Sequence, residues 1–84
     1  MIRYVGSLIG FEIRVKEASN KYLRGLEGKV IDESRNTIVI KSGSKYKRIP
    51  KKGAIFIIRI NDEFVEVIGD KLIGDVSRRW IKIG

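Results

Sequence analysis

The sequence lacks cysteine and histidine entirely and contains a single proline among its 84 residues. Without cysteine, the chain has neither disulfides nor thiolate metal ligands. Without histidine, it lacks the usual general base near neutral pH and the commonest metal ligand. These absences weigh against an independent enzyme. A cytoplasmic location is the expectation, because small secreted domains usually depend on disulfides.

Long hydrophobic runs are also missing. The longest wholly apolar run, from Ala54 to Ile58, is far shorter than the roughly 20 residues that a membrane-spanning helix needs. The first residues, "MIRYVGSLIG", lack the apolar region and cleavage pattern of a signal peptide. We expect one domain over residues 1–84, with no membrane partner.

Positive charge is abundant and clustered. The net charge is +8, from 18 basic and 10 acidic residues. The stretch "KSGSKYKRIPKKG" contains no acidic residue, and its basic residues are Lys41, Lys45, Lys47, Arg48, Lys51 and Lys52. One or two lysines would protect a sheet edge from aggregation. Six without counter-charge repel one another, which favours a polyanionic partner such as nucleic acid.

An acidic segment follows further along the chain. Its carboxylates are Asp62, Glu63, Glu66 and Asp70. They could bind a cation or meet a basic partner protein, but a solvated hairpin is the simpler interpretation.

Alternating and β-branched segments predict a fold made of short strands. In "FEIRVKEAS" the apolar residues alternate with charged ones, as in a half-buried strand. Turn formers over 32–36 and 61–63 predict hairpins, and "KYKRI" reads as a polar strand with Ile49 pointing inward. Five or six such strands predict an all-β fold, a small closed antiparallel barrel. Gly28 suggests a bulge or bend.

The two ends carry weaker patterns. Ile2, Val5, Leu8 and Ile9 have helical spacing, and Asp75 could cap a short helix through "VSRRWI". Between Gly69 and Gly74, "DKLI" reads as a short edge strand. Trp80 is interpreted as a core residue, with base stacking beside Arg78 and Arg79 as the alternative.

No group of residues predicts catalysis. Asp32 and Glu33 are adjacent, but successive strand residues point to opposite faces, so turn chemistry is the better interpretation. "GLEGK" has two residues between its glycines, where a phosphate loop needs four. The serines have no histidine to activate them. We therefore predict no catalytic residue and no metal ligand in this chain.

Three segments in order carry a resemblance to a known family: "LEGKVIDESRNTIVI", "KRIPKKGAIFIIRI" and "FVEVIGDKLIGD". Together they resemble archaeal ribonuclease P protein component 1, a family that includes the related subunit of eukaryotic ribonuclease P and MRP. The resemblance runs from about Leu8 to Asp75 and implies an Sm-like barrel of about six strands with short terminal segments that can be helical.

The resemblance also implies a function. Members are protein subunits of the ribonucleoprotein that removes the 5′ leader from precursor tRNA, in which the RNA performs the chemistry with magnesium. The implied role is to bind and stabilise that RNA together with a zinc-ribbon protein subunit, while precursor tRNA is contacted indirectly. No cofactor is expected on this chain itself.

Site residues follow by position from the resemblance and from the charge clusters. The predicted RNA-binding residues are Lys45, Lys47, Arg48, Lys51, Lys52, Arg78, Arg79 and Lys82. The predicted fold-shaping residues are Gly25, Gly28, Asp32, Glu33, Asn36, Thr37 and Pro50.

Three alternatives stay open at this point. A KOW or SH3-like barrel of a ribosomal or transcription protein would share the glycine-then-hairpin pattern. A protein-interaction module would use the acidic segment or a strand edge. A self-sufficient nuclease would have to cleave RNA alone with a metal ion.

Overall fold

The computed structural model describes residues 2–4, 6–74 and 80–82. Its strands are β1 (Ile2–Tyr4), β2 (Glu12–Glu17), β3 (Glu27–Glu33), β4 (Thr37–Ser42), β5 (Lys45–Pro50), β6 (Ile55–Ile60), β7 (Glu63–Ile68) and β8 (Trp80–Lys82). Two short 3-10 helices cover Lys21–Leu23 and Gly69–Leu72. None of the helices in the described part is long and apolar enough to cross a membrane.

Six of the strands form one antiparallel sheet in the order β5-β4-β3-β2-β6-β7. The remaining two strands, β1 and β8, pair with each other. The predicted all-β fold with six antiparallel strands is therefore confirmed. The apolar strand β6 is an interior strand, between β2 and the edge strand β7, as its continuous run of apolar residues indicates.

The sheet is not closed into a barrel, so that part of the prediction is wrong. Strands β5 and β7 are its two edges. β5 ends at Pro50, which has no N–H for a further ladder. The segments that follow the edge strands meet instead, since the Gly53 amide in the β5–β6 loop donates to the Asp70 carboxylate of the second 3-10 helix at 2.8 Å. An Sm-like character beyond the strand number stays a prediction.

The predictions for the chain ends are also corrected. Ile2–Tyr4 is a strand paired with Trp80–Lys82, not a helix, so cross-strand pairing overrides the weak helical spacing. Most of the predicted C-terminal helix, 75–79, lies outside the described residues. The first three residues of "DKLI" belong to the 3-10 helix Gly69–Leu72 and Ile73 follows it, so the segment is not a strand. Leu72 is buried, and the Asp70 carboxylate accepts a hydrogen bond from the Gly53 amide at 2.8 Å.

Alternation along the strands gives the sheet an inner apolar face and an outer polar one. Ile13 and Val15 of β2 are buried, whereas Glu12 and Arg14 beside them are exposed. Each of the other five strands of the six-stranded sheet also contributes buried residues to the core, for example Val30, Ile38, Ile49, Phe56 and Val65. The outer face is therefore the surface on which polar side chains can meet a ligand.

Two local features differ in how well the sequence predicts them. The tight turn between β6 and β7 is confirmed, with Asn61 and Asp62 both at positive φ, as a two-residue hairpin turn of type I′ requires.

The bulge in β3 lies between Val30 and Asp32 and not at Gly28. Gly28 is needed for another reason, because a Cβ there would lie 2.3 Å from the Lys41 carbonyl oxygen.

Candidate nucleic-acid interface

Strands β4 and β5 form a hairpin that concentrates positive charge at one edge of the sheet. We call its four exposed cations, Lys41, Lys45, Lys47 and Arg48, the basic hairpin. Ile49 is fully buried and lies opposite Ile38, so it fixes β5 against the core. Because Ile49 anchors β5, the cations of this strand hold fixed positions, and they alternate between its two faces as predicted.

The cations project from both faces of the hairpin. Arg48 lies opposite Val39 on the outer face, beside Tyr46, which lies opposite Lys41. Lys47 lies opposite the buried Ile40 and therefore projects from the other side. A polyanion that wraps the hairpin can consequently contact positive charge from two directions.

The basic hairpin concentrates unpaired cations on one pair of strands, although the scattered exposed cations Lys21, Lys29, Arg35, Lys52 and Lys71 also form no ion pair among the described residues. Arg14, Lys16, Arg24 and Arg59 each form an ion pair with a carboxylate. Among the described residues, none of the four hairpin cations forms one; Arg48 only approaches the Thr37 hydroxyl, at 3.5 Å. Unpaired charges packed this closely repel one another, and an anionic ligand would relieve that repulsion.

Lys51 does not belong to this surface, and the prediction that it contacts RNA is corrected. Its side chain is 0% exposed and its ammonium lies 2.8 Å from Glu33 Oε2. The same ammonium donates to the carbonyls of Ser34 and Leu72, both at 2.8 Å. An ammonium has three hydrogens, so these partners satisfy it inside the protein.

The buried ion pair between Lys51 and Glu33 connects four separate segments of the chain. The Lys51 amide donates to the Asn36 carbonyl at 2.8 Å, and the Leu8 amide donates to Glu33 Oε1 at 2.7 Å. Lys51 and Glu33 thus join the β3–β4 turn, the β5–β6 loop, the second 3-10 helix and the N-terminal segment. We call this buried ion pair and its hydrogen bonds the Lys51 clasp.

The other predicted fold-shaping residues lie at turns and strand ends. Gly25 has φ +85° just after the first 3-10 helix, and its amide donates to the Val15 carbonyl at 2.7 Å. Thr37 lies opposite Pro50, and its hydroxyl is 2.7 Å from that of Ser34. Asp32 is exposed on the outer face, whereas the Glu33 side chain is buried, so the two carboxylates diverge as predicted. Both residues lie in β3 and not in the turn, and Glu33 forms a buried ion pair with Lys51, which corrects the prediction of turn chemistry.

The remaining predicted RNA-binding residues fall outside strands β4 and β5 in the sequence. Lys52 is exposed in the loop after β5. Lys82 lies in β8 opposite Ile2. Arg78 and Arg79 lie outside the described residues. Trp80 lies in β8 opposite Tyr4, and neither interpretation of its side chain is tested.

The acidic residues of β7 and its flanking turns do not converge. Asp62 pairs with Arg59, Glu66 pairs with Lys16, and Asp70 accepts the Gly53 amide. Within the part of the chain that the structure describes, no three acidic residues come together in a way that could hold a metal ion.

A pair of lysines that the sequence pattern did not single out extends the basic surface. Lys29 of β3 lies directly opposite Lys41 of β4 on the outer face. Like charges directly opposite each other on adjacent strands are destabilising. The pairing depends on strand register, which the bulge between Val30 and Asp32 shifts, so no local sequence signal could have placed these two lysines together.

Comparisons with known proteins agree with one another. A family model described as ribonuclease P/MRP, subunit p29 matches residues 5–82. Ribonuclease P protein component 1 of Methanococcus aeolicus is 45% identical, over 89% of this chain and 83% of that protein. Ribonuclease P protein component 1 of Methanocaldococcus jannaschii is 42% identical, over 89% of this chain and 80% of its own length.

A solved structure supports the same relationship at the level of the fold. It is that of Mth11, described as a homologue of the human RNase P protein Rpp29. The two chains are 31% identical, with a TM-score of 0.62 over 89% of this chain and 95% of that one.

Proposed function

Because the chain belongs to the ribonuclease P/MRP subunit p29 family and is a protein subunit of ribonuclease P, we propose that it binds the RNA of that enzyme through the basic hairpin. Membership of this family favours a ribonuclease P subunit over a KOW or SH3-like protein of the ribosome or of transcription. The observation that carries the proposal is the group of four exposed hairpin cations that have no carboxylate partner among the described residues.

The chemistry of the hairpin fits the RNA backbone better than base edges. Lysine is a flexible point charge and the guanidinium of Arg48 presents a planar fork, and both recognise phosphate oxygens. Such contacts fix the register and orientation of a protein on folded RNA without reading sequence. Lys52, in the following loop, extends the proposed surface.

The proposed role is non-catalytic. The buried Glu33 is held by Lys51. Three of the four carboxylates around β7, those of Asp62, Glu66 and Asp70, are held separately by Arg59, Lys16 and the Gly53 amide. This arrangement supports the proposal that the magnesium chemistry on precursor tRNA belongs to the RNA, and that this chain stabilises the RNA. Assembly with a zinc-ribbon protein subunit is proposed on family membership alone.

Lysine footprinting tests the proposal. The chain is acetylated with an amine-reactive ester, with and without ribonuclease P RNA, and each site is quantified by mass spectrometry. We expect the RNA to protect Lys41, Lys45 and Lys47, because bound phosphates cover their ammonium groups. Exposed Lys21 and Lys71 serve as controls outside the basic hairpin. Lys51 should stay unreactive in both states because it is buried.

The opposite pattern would overturn the proposal. If RNA protects Lys21 and Lys71 as strongly as the hairpin lysines, the binding is non-specific charge attraction. If it protects only residues outside 41–52, the RNA site lies elsewhere on the chain.

A further inference from the structure

A continuous row of six exposed side chains crosses the outer face, one from each strand of the six-stranded sheet. Each member lies directly opposite the next in the ladder. We call it the outer row, and its members in spatial order are Tyr46, Lys41, Lys29, Glu12, Arg59 and Phe64. With strands about 4.8 Å apart, it spans roughly 24 Å along the sheet.

The ends of the outer row are aromatic and its middle is cationic. Tyr46 is 61% exposed and Phe64 is 73% exposed, both on edge strands. Three of the four residues between them are basic, and the one carboxylate, Glu12, lies 3.8 Å from Arg59. That separation is longer than a hydrogen bond, but the guanidinium also donates to the Asp62 carboxylate at 3.1 Å. Both ion pairs are solvent-exposed, so an added anion at Arg59 would compete with two exposed carboxylates.

A groove lies along this row. Its volume is about 840 Å³ and its lining includes five members of the outer row, Glu12, Lys29, Lys41, Arg59 and Phe64. Gly28 and the half-buried Ile57 also line it. The volume falls within the range of pockets that enclose small organic ligands, roughly 300–1,000 Å³. The same groove therefore offers apolar surface from Phe64 and Ile57 and positive charge from the basic members of the outer row.

We propose that the outer row binds a single-stranded segment of RNA, with bases stacked on Phe64 and Tyr46 and phosphates on the cations between them. The proposal rests on the RNA-binding function assigned above and names the form of RNA. Exposed aromatic rings beside a cationic groove are the combination that holds unpaired nucleotides, because every base has a face for stacking. The bases of an intact duplex are stacked on each other and cannot reach these rings.

The lysine pair inside the row supports the same ligand. Lys29 and Lys41 face each other at a cost to the stability of the unbound sheet. A phosphate placed between two ammonium groups turns that repulsion into attraction. Lys41 also lies 5.9 Å from the centre of the Tyr46 ring, so charge and stacking surface are adjacent at this end.

Aromatic substitution tests the inference. Phe64→Ala and Tyr46→Ala are compared with wild type for binding to a labelled single-stranded RNA of about twelve nucleotides, by fluorescence anisotropy. We expect each variant to weaken binding about 5- to 150-fold, the loss typical of one stacked base. The slope of log affinity against log salt should stay unchanged, because stacking releases no counterions. Phe64→Tyr should bind like wild type because it keeps the ring.

Tyr22→Ala is the matched control, because Tyr22 is 80% exposed in the first 3-10 helix and lies outside the row. If Phe64→Ala and Tyr46→Ala bind no worse than this control, the inference is overturned. Equal loss on a duplex of the same sequence also overturns it. So does a Phe64→Ala variant that binds RNA normally but no longer assembles with the other protein subunits, because the groove would then dock protein.

Failure of this inference is separable from failure of the proposed function. The hairpin cations outside the outer row are Lys45, Lys47 and Arg48. If neutralising these three lowers the salt slope while the aromatic variants leave the RNA affinity unchanged, only the stacking inference fails. If the aromatic variants act and hairpin neutralisation does not, the hairpin assignment fails and the groove is the RNA site.

Discussion

Replacing Lys51 with methionine should lower the free energy of unfolding by about 3–5 kcal/mol. The substitution removes the ammonium that lies 2.8 Å from the buried Glu33 Oε2, and it removes the donor that the Ser34 and Leu72 carbonyls share. A domain of 84 residues has a total stability of about 4–13 kcal/mol. The variant should therefore be near unfolding, as measured by urea denaturation with circular dichroism.

Two further variants separate the ion pair from general disruption. Lys52→Met changes the exposed neighbour and should alter stability by less than about 0.5 kcal/mol. The double variant Glu33→Met with Lys51→Met replaces both members of the buried ion pair by apolar groups and should recover a large part of the loss. If Lys51→Met costs no more than Lys52→Met, the Lys51 clasp does not form.

Neutralising three cations of the basic hairpin should weaken binding to ribonuclease P RNA by about two orders of magnitude at 0.1 M salt. The variant carries Lys45→Gln, Lys47→Gln and Arg48→Gln. Each lost phosphate contact lowers the salt slope by about 0.7–0.9, so the three together lower it by about 2–3. Because the electrostatic part of binding vanishes near 1 M salt, this slope difference gives the stated loss. Filter binding over a series of salt concentrations measures both quantities.

A charge-matched control decides whether position or net charge matters. Lys21→Gln, Arg35→Gln and Lys71→Gln remove three exposed cations elsewhere, so both triple variants fall from a net charge of +8 to +5. The control should keep the wild-type slope to within about one unit. Equal losses in the two variants would mean that the chain attracts RNA only through its overall charge, and the hairpin assignment would be withdrawn.

Much of the fold could be predicted from the sequence because it depends on local patterns. Alternation places Ile13 and Val15 inside and Glu12 and Arg14 outside, whatever the neighbouring strand. The turn at Asn61 and Asp62 follows from residues that tolerate positive φ. Closure of the sheet could not be predicted, because it depends on whether two distant edge strands come within hydrogen-bonding distance.

The site was predictable only in part for the same reason. Lys51 and Lys52 are neighbours in one basic run, yet one is fully buried and the other exposed. Their difference depends on Glu33, 18 positions before Lys51, and on the carbonyl of Leu72 from a third segment. The outer row likewise depends on the register of five strand pairs, which composition and spacing do not reveal.

The most direct measurement of the central claim is cleavage of precursor tRNA by a reconstituted ribonuclease P at limiting magnesium. The RNA and the other protein subunits are held constant, and this chain is titrated as wild type, as the hairpin triple variant or as the charge-matched control. We predict that the hairpin variant needs a much higher concentration to restore cleavage, whereas the control follows wild type. Identical titration curves for all three would contradict the claim that the basic hairpin binds the RNA of the enzyme.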